Sequence, residues 1–318
     1  KKSRKLGTGG SGTVYLGTLG DDKVAIKTYN LETINGVRPE ILRETAILAW
    51  ANHPNLIGLR EIKISENIQI IMDYGGQCLR EFYNDTSLMQ RIIKYEKIHN
   101  DICAGIAYLH EHNIFHRDIK PSNILVNVDG AKLCDFGLTK PVSSLMTPNV
   151  GTLNYRAPEI FAGIDYGVAA DIWSLGCCFY EYFTKSLLFR GQSEIVVLSS
   201  IMKLVPTDHA GLVHLQLDIV NLENCNNTKY YRIASLYDES LTHIEHRKTL
   251  DRIKQQIEHM LIFDPRSRPN IFSIIGKPTP VINRSQVHIS TNYRIDDLAK
   301  LHQIKPDVVI LASYVFDK

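Results

Sequence analysis

The first part of the chain alternates short β-type runs with glycines. Residues 4–27 place closely spaced glycines between alternating apolar and polar positions, which predicts a β-hairpin-rich start. Apolar positions recur at helical spacing from Pro39 to Trp50, and a proline suits a first helical turn. Two more strands are predicted over Leu59–Ile64 and Ile68–Met72. A glycine pair, Gly75–Gly76, then ends this pattern.

Helical spacing dominates after the glycine pair, in the segments Leu88–Glu111, Val168–Thr184, Ser193–Leu204 and Leu250–Ile262. We therefore predict an α+β fold with two lobes. Residues 1–74 form a small β-rich N-terminal lobe with one helix, and residues 75–276 form a larger, mainly helical lobe. Residues 206–248 are polar, rich in asparagine and weakly periodic, which indicates an insertion. Residues 277–318 begin with a proline-containing linker, and Val308–Phe316 predicts a terminal amphipathic helix.

Composition and charge narrow the function classes. The chain has 318 residues, of which 44% are hydrophobic and 22% charged, as in an ordinary folded protein with more than one core. A net charge of +2 without a long basic run argues against nucleic acid or a membrane surface as a partner. The sequence holds no apolar stretch of the ~20 residues that span a bilayer. We expect an intracellular protein of the cytoplasm or the nucleus.

The six cysteines include no CxxC pair and lie mostly in apolar periodic segments. This pattern favours buried free thiols over disulfides or a metal site. Cys134 directly precedes Asp135, so we expect it to lie beside the candidate chemistry described next.

Two polar motifs carry the candidate chemistry. The run His116–Asn123 reads HRDIKPSN, and Asp135–Gly137 reads DFG at a workable distance downstream. Either HRD or DFG alone could be a set of ordinary polar residues in a turn. Together they favour phosphoryl transfer, which needs positioning of an acceptor hydroxyl and cancellation of negative charge on the phosphate oxygens.

The residue types in these motifs suit those tasks. Asp118 can accept the proton of an acceptor hydroxyl or mainly orient that hydroxyl, and the sequence does not separate these roles. Lys120 can neutralise the transferring phosphate. Asn123 and Asp135 offer the oxygen ligands that Mg²⁺ prefers.

A glycine-rich segment, Gly7–Val14, precedes these motifs. Its glycines would let backbone amides approach phosphates closely. Such a segment is also typical of a dinucleotide-binding turn or a flexible loop, but a dinucleotide-binding turn opens a helix, whereas a strand follows here. A flap over phosphates is therefore favoured.

Lys27 ends the strand-like run Val24–Lys27, where a cation among apolar neighbours is costly unless it meets an anion. An exposed lysine on an edge strand is the alternative. Glu44 lies in the predicted helix Pro39–Trp50, and an ion pair with Lys27 would hold the amine toward phosphates.

With these motifs in order, the chain resembles a eukaryotic-type protein kinase over Leu6–Ile275. Lys120, two residues after Asp118, is similar to the serine/threonine branch. Three further matches are of the kind that brace the fold, namely Ala157-Pro158-Glu159, Asp171 and Arg268.

The resemblance implies ATP and Mg²⁺ as cofactors and a protein substrate. It implies Asp118 and Lys120 as catalytic residues and Asn123 and Asp135 as metal ligands. Met72 falls at the gatekeeper position, and Asp73 to Gly75 would contact adenine through the backbone. The full set of implied ATP-binding residues is Gly7, Thr8, Gly9, Gly10, Ser11, Gly12, Val14, Ala25, Lys27, Glu44, Met72, Asp73, Gly75 and Leu125.

Three segments resemble the cyclin-dependent kinases within this family, namely Pro39–Glu44, Tyr155–Glu159 and Leu188–Glu194. By this resemblance Thr147 is the activating phosphorylation site, and Arg43, Arg117 and Lys140 form its cation pocket. A lysine at position 140 replaces the usual arginine, which weakens bidentate binding of a phosphate. The resemblance also implies a cyclin-like activator, either a separate protein or one fused to this chain.

Two departures from the cyclin-dependent pattern affect regulation and specificity. Gly10 and Ser11 replace the Thr-Tyr pair that many of these kinases use for inhibitory phosphorylation, so we expect that control to be absent. Gly151 replaces a strained residue beside the site that accepts proline after the target residue. Glycine adopts positive φ freely, so a preference for proline remains compatible with the sequence.

Two alternatives stay open at this point. Leu311–Lys318 resembles the start of a cyclin-box helix, which would make the chain a fragment of a kinase fused to a cyclin-like domain, but a helix that caps the larger lobe is at least as compatible. The second alternative concerns function: a pseudokinase scaffold would use the same fold to bind partners without phosphotransfer, although its usual mark, loss of catalytic residues, is not found here.

Overall fold

The computed structural model describes residues 2–9, 12–30, 38–65, 67–141, 151–163, 166–206 and 244–280. A five-stranded antiparallel sheet with one helix makes up the first part of the fold. The strands are β1 (Lys2–Gly9), β2 (Gly12–Leu19), β3 (Asp22–Asn30), β4 (Leu59–Ile64) and β5 (Asn67–Asp73), in the order β1-β2-β3-β5-β4. Helix α1 (Pro39–Trp50) connects β3 to β4 in the chain. Strand β3 is therefore central, so its residues are not on an edge.

The second part of the fold is mainly helical. Its helices are α2 (Leu79–Asn84), α3 (Leu88–Glu111), α4 (Pro158–Phe161), α5 (Ala169–Thr184), α6 (Glu194–Leu204), α7 (Ile244–Met260) and α8 (Ile271–Ile274). Its short strands are β6 (Gln77–Cys78), β7 (Ile114–Phe115), β8 (Ile124–Val126), β9 (Ala131–Leu133) and β10 (Lys140–Pro141). They form a β6-β8-β9 sheet and a β7-β10 pair. The predicted α+β architecture, with a β-rich lobe and a mainly helical one, is confirmed.

Helix α7 differs from its prediction because it begins at Ile244 rather than at Leu250. The residues of its first turns whose exposure is described, His246 to Thr249, are polar and partly or fully exposed, so they carry no apolar signal. Burial starts at Leu250 and recurs at Ile253 and Ile257, which is the helical stripe that the sequence shows. The predicted insertion lies mostly outside the described residues.

Helix α5 is buried on all sides in the centre of the larger lobe. Only its first residue and its last, Thr184, are not fully buried. Trp173 stacks on Phe189 with ring centroids 5.4 Å apart, and Phe179 packs edge-on against Tyr95 of α3 at 5.1 Å. A helix that is buried on all sides is typical of a lobe's interior. Among the described helices, none is long and apolar enough to cross a membrane.

Asp171 on α5 holds the segment that follows β7. Its Oδ2 accepts from His116 N at 2.8 Å and its Oδ1 from Arg117 N at 2.9 Å, while His110 Nε2 lies 2.9 Å from Oδ2. Arg117 has a positive φ of 71°, which is unfavourable for a residue with a side chain. The buried carboxylate therefore stabilises a strained turn in the HRDIKPSN run.

Replacing this carboxylate should change the dependence of stability on pH. Burial raises the pKa of Asp171, but the contacts with His110 and Arg117 N more than reverse this, so the pKa lies below its ordinary value of 3.8. Its ionised form therefore stabilises the fold above about pH 4, and this contribution is lost as the pH falls through the lowered pKa. We expect Asp171→Asn to lower the free energy of unfolding at pH 7 by about 1–3 kcal/mol.

Chemical denaturation of both proteins between pH 7 and pH 3 tests this expectation. The gap between wild type and Asp171→Asn should narrow below about pH 4. Asp21→Asn, which changes an exposed turn residue, is the matched control and should leave the curve unchanged. A gap of constant size across the whole range would contradict the role of the Asp171 charge.

Candidate active site

A buried cation joins three elements of the fold. Lys27 Nζ on β3 lies 2.7 Å from Glu44 Oε1 and 2.8 Å from Glu44 Oε2 on α1. The same nitrogen donates to Asp135 Oδ1 at 2.9 Å, in the loop that follows β9. The predicted Lys27–Glu44 contact is thus present, with Asp135 as a further partner. The alternative of an exposed edge lysine is excluded, since only 5% of Lys27 is exposed.

The charges of this cluster shift the pKa values of Lys27 and Asp135 in opposite directions. Burial lowers the pKa of Lys27, but the carboxylates of Glu44 and Asp135 outweigh it, so the net pKa lies well above the ordinary value of 10.5. Burial raises the pKa of Asp135, but Lys27 more than reverses that effect, so this pKa lies below 3.8. Lys27 is therefore a permanent cation and Asp135 a permanent anion at neutral pH.

A second cluster surrounds Asp118. Its Oδ2 accepts from Lys120 Nζ at 2.6 Å and from Asn123 Nδ2 at 3.1 Å. Its Oδ1 accepts from the Thr152 hydroxyl at 2.7 Å and from Thr152 N at 3.1 Å. Thr152 Oγ1 also accepts from Lys120 Nζ at 2.9 Å. A carboxylate and an ammonium thus lie side by side where a hydroxyl could be held between them.

Thr152 is a site residue that the sequence reasoning missed. It lies 34 positions after Asp118, so spacing within the HRDIKPSN run gives no hint of the contact. Its position just before the Leu153-Asn154-Tyr155 turn and Ala157-Pro158-Glu159 was the available signal. Because Thr152 bonds to both Asp118 and Lys120, it fixes their separation.

The donor set of Asn123 and Asp135 fits Mg²⁺. The Asn123 amide nitrogen donates to the Asp118 carbonyl oxygen at 2.9 Å and to the Asp118 carboxylate. The amide oxygen of Asn123 is therefore the atom available to a metal ion. Asp135 contributes a partly exposed carboxylate. In the described part of the chain no three His, Cys, Asp or Glu side chains cluster as metal ligands. Two oxygens suit an ion that keeps phosphate and water ligands.

His116 is fully buried and connects the two motifs. Its Nε2 lies 3.1 Å from the carbonyl oxygen of Cys134, and its Nδ1 accepts from Asp118 N at 3.3 Å. It therefore positions Asp135 and Asp118 and does not reach a substrate. Burial raises the pKa of the neighbouring Cys134 thiol, which disfavours its reactive thiolate.

Several implied ATP-binding residues share one face of the sheet. Val14 pairs with Lys27 across β2 and β3, and Ala25 pairs with Met72 across β3 and β5. Paired residues, and residues two apart on a strand, point to the same side. Val14, Ala25, Lys27 and Met72 therefore line a common surface.

The segment after β5 runs close to β8. A β-carbon at Gly75 would lie 2.6 Å from Leu125 Cδ1, so a glycine is needed for this approach. Asp73 N donates to Gly58 O at 2.9 Å and the Asp73 carboxylate pairs with Arg60, so neither group is available to a base. The implied contact of Asp73 with adenine is thus limited to its remaining backbone atoms.

The glycine-rich residues Gly7, Thr8, Gly9 and Gly12 lie at the ends of β1 and β2, where Gly9 pairs with Gly12. No described atom approaches the β-carbon position of Gly7, so this edge is open. Gly10 and Ser11 lie outside the described residues.

Three cations lie together beside the β7-β10 pair. Arg43 Nε donates to Gly137 O at 2.9 Å, and Arg117 Nη1 donates to Leu138 O at 3.3 Å. Lys140 pairs with Phe115 across β10 and β7. Burial lowers the pKa of Lys140, and the charges of Arg117 and Arg43 lower it further. The proximity of these like charges matches the implied pocket, while Thr147 lies outside the described residues.

Gly151 touches the HRDIKPSN run through its backbone. Its φ is +90°, and a β-carbon there would lie 2.7 Å from Arg117 O. Its carbonyl oxygen accepts from Arg156 Nη2 at 3.2 Å. Glycine at this position therefore permits both the positive φ and the close approach.

Comparison with known proteins identifies the fold and the family of the chain. A chain in the crystal structure of the yeast RNA Pol II CTD kinase CTDK-1 complex is similar, with a TM-score of 0.72 and 24% sequence identity over 88% of this chain and 95% of that chain. At this identity the likeness concerns the fold. The family model described as protein kinase domain matches residues 1–279, which is most of the sequence. The chain belongs to the protein kinase family.

Proposed function

We propose that this chain is a serine/threonine kinase that transfers the γ-phosphoryl group of Mg·ATP to protein hydroxyls. One observation carries the proposal: the Lys27–Glu44 pair reaches Asp135 while Asp118 is in contact with both Lys120 and Asn123. Both halves of a phosphotransfer site are therefore assembled in one chain. A scaffold that only bound partners would not need either cluster.

The residues divide the task between nucleotide and acceptor. Mg·ATP supplies the phosphoryl group when it is bound. Lys27 presents a fixed cation toward the phosphates because Glu44 holds its ammonium group. Asn123 and Asp135 would hold the metal ion through their oxygens. These side chains act mainly by positioning charge, which is the main requirement of phosphoryl transfer.

Asp118 and Lys120 act on the acceptor. Asp118 Oδ1 already accepts a hydrogen bond from one threonine hydroxyl, that of Thr152, at 2.7 Å. A substrate hydroxyl approaching the same carboxylate would be oriented, and its proton received, in the same manner. Lys120, 2.6 Å from Asp118 Oδ2, stabilises negative charge on the transferring group. Lys120, two residues after Asp118, resembles the serine/threonine branch of the family, so serine or threonine is the proposed acceptor.

Replacing Asp118 tests the proposed function. We expect Asp118→Asn to lower the rate of phosphotransfer to a protein substrate at least about 100-fold, because the amide cannot accept the proton. The measurement is transfer of labelled phosphate from ATP by purified wild type and variant. Asp129→Asn, which changes an exposed turn residue, is the matched control and should retain full activity. Equal incorporation by wild type and Asp118→Asn would refute the kinase function and favour a scaffold.

We further propose that the chain prefers proline after the target residue. Gly151 directly precedes Thr152, which contacts Asp118, so the residue after the target hydroxyl passes Gly151. The Gly151 carbonyl is engaged by Arg156, whose other arm binds Glu194 Oε1 at 2.6 Å. An incoming N–H would compete with the Arg156 guanidinium for that oxygen. Proline has no N–H, so it avoids an unsatisfied donor.

Matched peptides test this preference. We expect kcat/KM for a Ser-Pro peptide to exceed that for the same peptide with Ser-Ala about tenfold, since an unsatisfied N–H costs on the order of 1–3 kcal/mol. Arg156→Ala should reduce this ratio because it releases the Gly151 carbonyl, whereas Arg190→Ala, at an exposed position, should not. Both peptides are measured with the same preparation of each variant, so a lower fraction of folded enzyme changes both values of kcat/KM equally and leaves their ratio unchanged. A wild-type ratio near one would contradict the proposal.

Regulation by phosphorylation is a further part of the proposal. Arg43, Arg117 and Lys140 lie close enough to lower the pKa of Lys140, and this repulsion would be relieved by a phosphate among them. Arg43 and Arg117 also hold the carbonyls of Gly137 and Leu138, two and three residues after Asp135. A phosphate at Thr147 would therefore act on the segment that carries the metal ligand.

Removing the hydroxyl of Thr147 tests this regulation. We expect Thr147→Ala to lower kcat/KM about tenfold relative to enzyme phosphorylated at Thr147, a usual size for coupling between two sites. Mass spectrometry establishes the phosphorylation state of both proteins. Ser144→Ala, three residues earlier, is the matched control. If phosphorylated wild type and Thr147→Ala are equally active, the three cations do not serve as a phosphate pocket.

A cyclin-like activator, separate or fused to this chain, belongs to the same proposal. One support is the resemblance of Pro39–Glu44 to the cyclin-dependent kinases. The other is the position of Glu44 on α1, because a partner that moves this helix would change the ion pair between Lys27 and Glu44. The segment that resembles a cyclin-box helix lies outside the described residues.

A further inference from the structure

Tyr29 is a buried polar side chain that the site described above does not use. It lies on β3 two residues after Lys27, so both side chains point to the same face of the sheet. Its exposed fraction is 1%. The Tyr29 hydroxyl donates to Glu44 Oε2, the same carboxylate that binds Lys27. Glu44 is thus held by two donors from β3.

The ring of Tyr29 contacts Gly12, the last glycine of the glycine-rich segment Gly7–Val14. A β-carbon at Gly12 would lie 3.3 Å from two ring carbons of Tyr29 and 2.8 Å from Thr28 O, and Gly12 has a φ of +126°. The backbone of Gly12 therefore rests on the tyrosine ring, and only glycine fits there without strain. The ring therefore limits movement of Gly12 toward it.

The same ring faces the start of α1. Lys27 Nζ lies 5.4 Å from the ring centroid, and Arg38 Cζ, at the residue that precedes α1, lies 6.0 Å from it. These distances are within the range of cation–π attraction. One side chain therefore touches the strand that carries Lys27, the helix that carries Glu44 and the turn that ends at Gly12.

We propose that Tyr29 is a positioning residue that couples the glycine-rich turn to Glu44 and thereby holds Lys27 in its ATP-binding geometry. This inference rests on the proposed kinase function. Tyr29 acts through Glu44, since its own hydroxyl is committed to that carboxylate. The bond lies within the chain, so it stabilises the position of α1 before any partner binds.

The chemistry of the phenol suits a permanent link. Burial raises the pKa of Tyr29 well above its ordinary value of 10.0, and the nearby Glu44 carboxylate raises it further. The hydroxyl therefore stays protonated and remains a donor at every physiological pH. A hydrogen bond to a buried charged acceptor is also stronger than one between neutral groups.

Tyr29→Phe removes only this hydroxyl and so tests the proposal. We expect the dissociation constant of Mg·ATP, measured by calorimetry, to rise about tenfold and kcat/KM for ATP to fall by a similar factor, which corresponds to about 1.4 kcal/mol. Tyr182→Phe is the matched control, because Tyr182 is also buried and its hydroxyl donates to Arg91 O at 2.9 Å in the larger lobe. It should lower the melting temperature but leave ATP binding unchanged.

A double-mutant cycle with Glu44→Gln shows whether Tyr29 acts through Glu44. If it does, Tyr29→Phe should change the Mg·ATP dissociation constant much less in the Glu44→Gln background than in wild type. An equal effect in both backgrounds, or a Tyr29→Phe protein with wild-type ATP affinity, would overturn the proposal. The measured quantity is binding of Mg·ATP, so this test is separate from the test of kinase function. If the wild type binds Mg·ATP but transfers no phosphate, the kinase function is refuted, while the coupling between Tyr29 and Glu44 can still be measured.

Discussion

The arrangement of this kinase depends on the buried contact of Lys27 with Glu44 and Asp135. A buried ammonium group is costly unless anions compensate it, and loss of the ammonium group would leave two carboxylates uncompensated in a region of low dielectric. The three groups come from β3, from α1 and from the loop after β9. Each element therefore restrains the others, and the β-rich part is held against the helical part at the point where a nucleotide would bind.

A second constraint is strain in the backbone of the site. Arg117 and Asp135 both adopt positive φ, at 71° and 65°, although neither is a glycine. Such residues cost on the order of 1–3 kcal/mol each and persist only where their surroundings hold them. Asp171 accepts from the backbone at Arg117, and Lys27 holds the Asp135 carboxylate. Two buried charges thus support two strained residues of the site.

The sequence predicted well those features that depend on local pattern. The bounds of α1 and α3 follow from apolar periodicity, and the Lys27–Glu44 contact was predicted from the cost of a buried cation and the presence of Glu44 in the next helix. Contacts between distant segments were not predictable from spacing, and Thr152 meets Asp118 only because the chain returns 34 residues later. The nearby contact of Arg156 with Gly151 depends on a side-chain direction that the sequence does not show.

Tyr29 illustrates a different limit of sequence reasoning. A tyrosine in a strand is ordinarily interpreted as a packing residue, and the alternation of β3 supports that interpretation. Its hydroxyl becomes informative only when α1 brings Glu44 within reach. The start of α7 escaped prediction for a different reason, since the positions from His246 to Thr249 are polar and partly or fully exposed while its buried stripe begins at Leu250. A tertiary partner decides the role of Tyr29, whereas the first turns of α7 simply carry no apolar signal.

Arg117 links the parts of the site that we propose to face nucleotide, acceptor and a regulatory phosphate. Its guanidinium donates to Leu138 O, three residues after Asp135, and its carbonyl oxygen lies against Gly151. The next residue in the chain is Asp118. Any charge that draws the guanidinium away from Leu138 would therefore act on Asp135, Gly151 and Asp118, to which we assign the metal ion, the substrate and the acceptor hydroxyl in the proposed function. Because these contacts are all made by one strained residue, a phosphate in the proposed cation pocket would affect all three positions together.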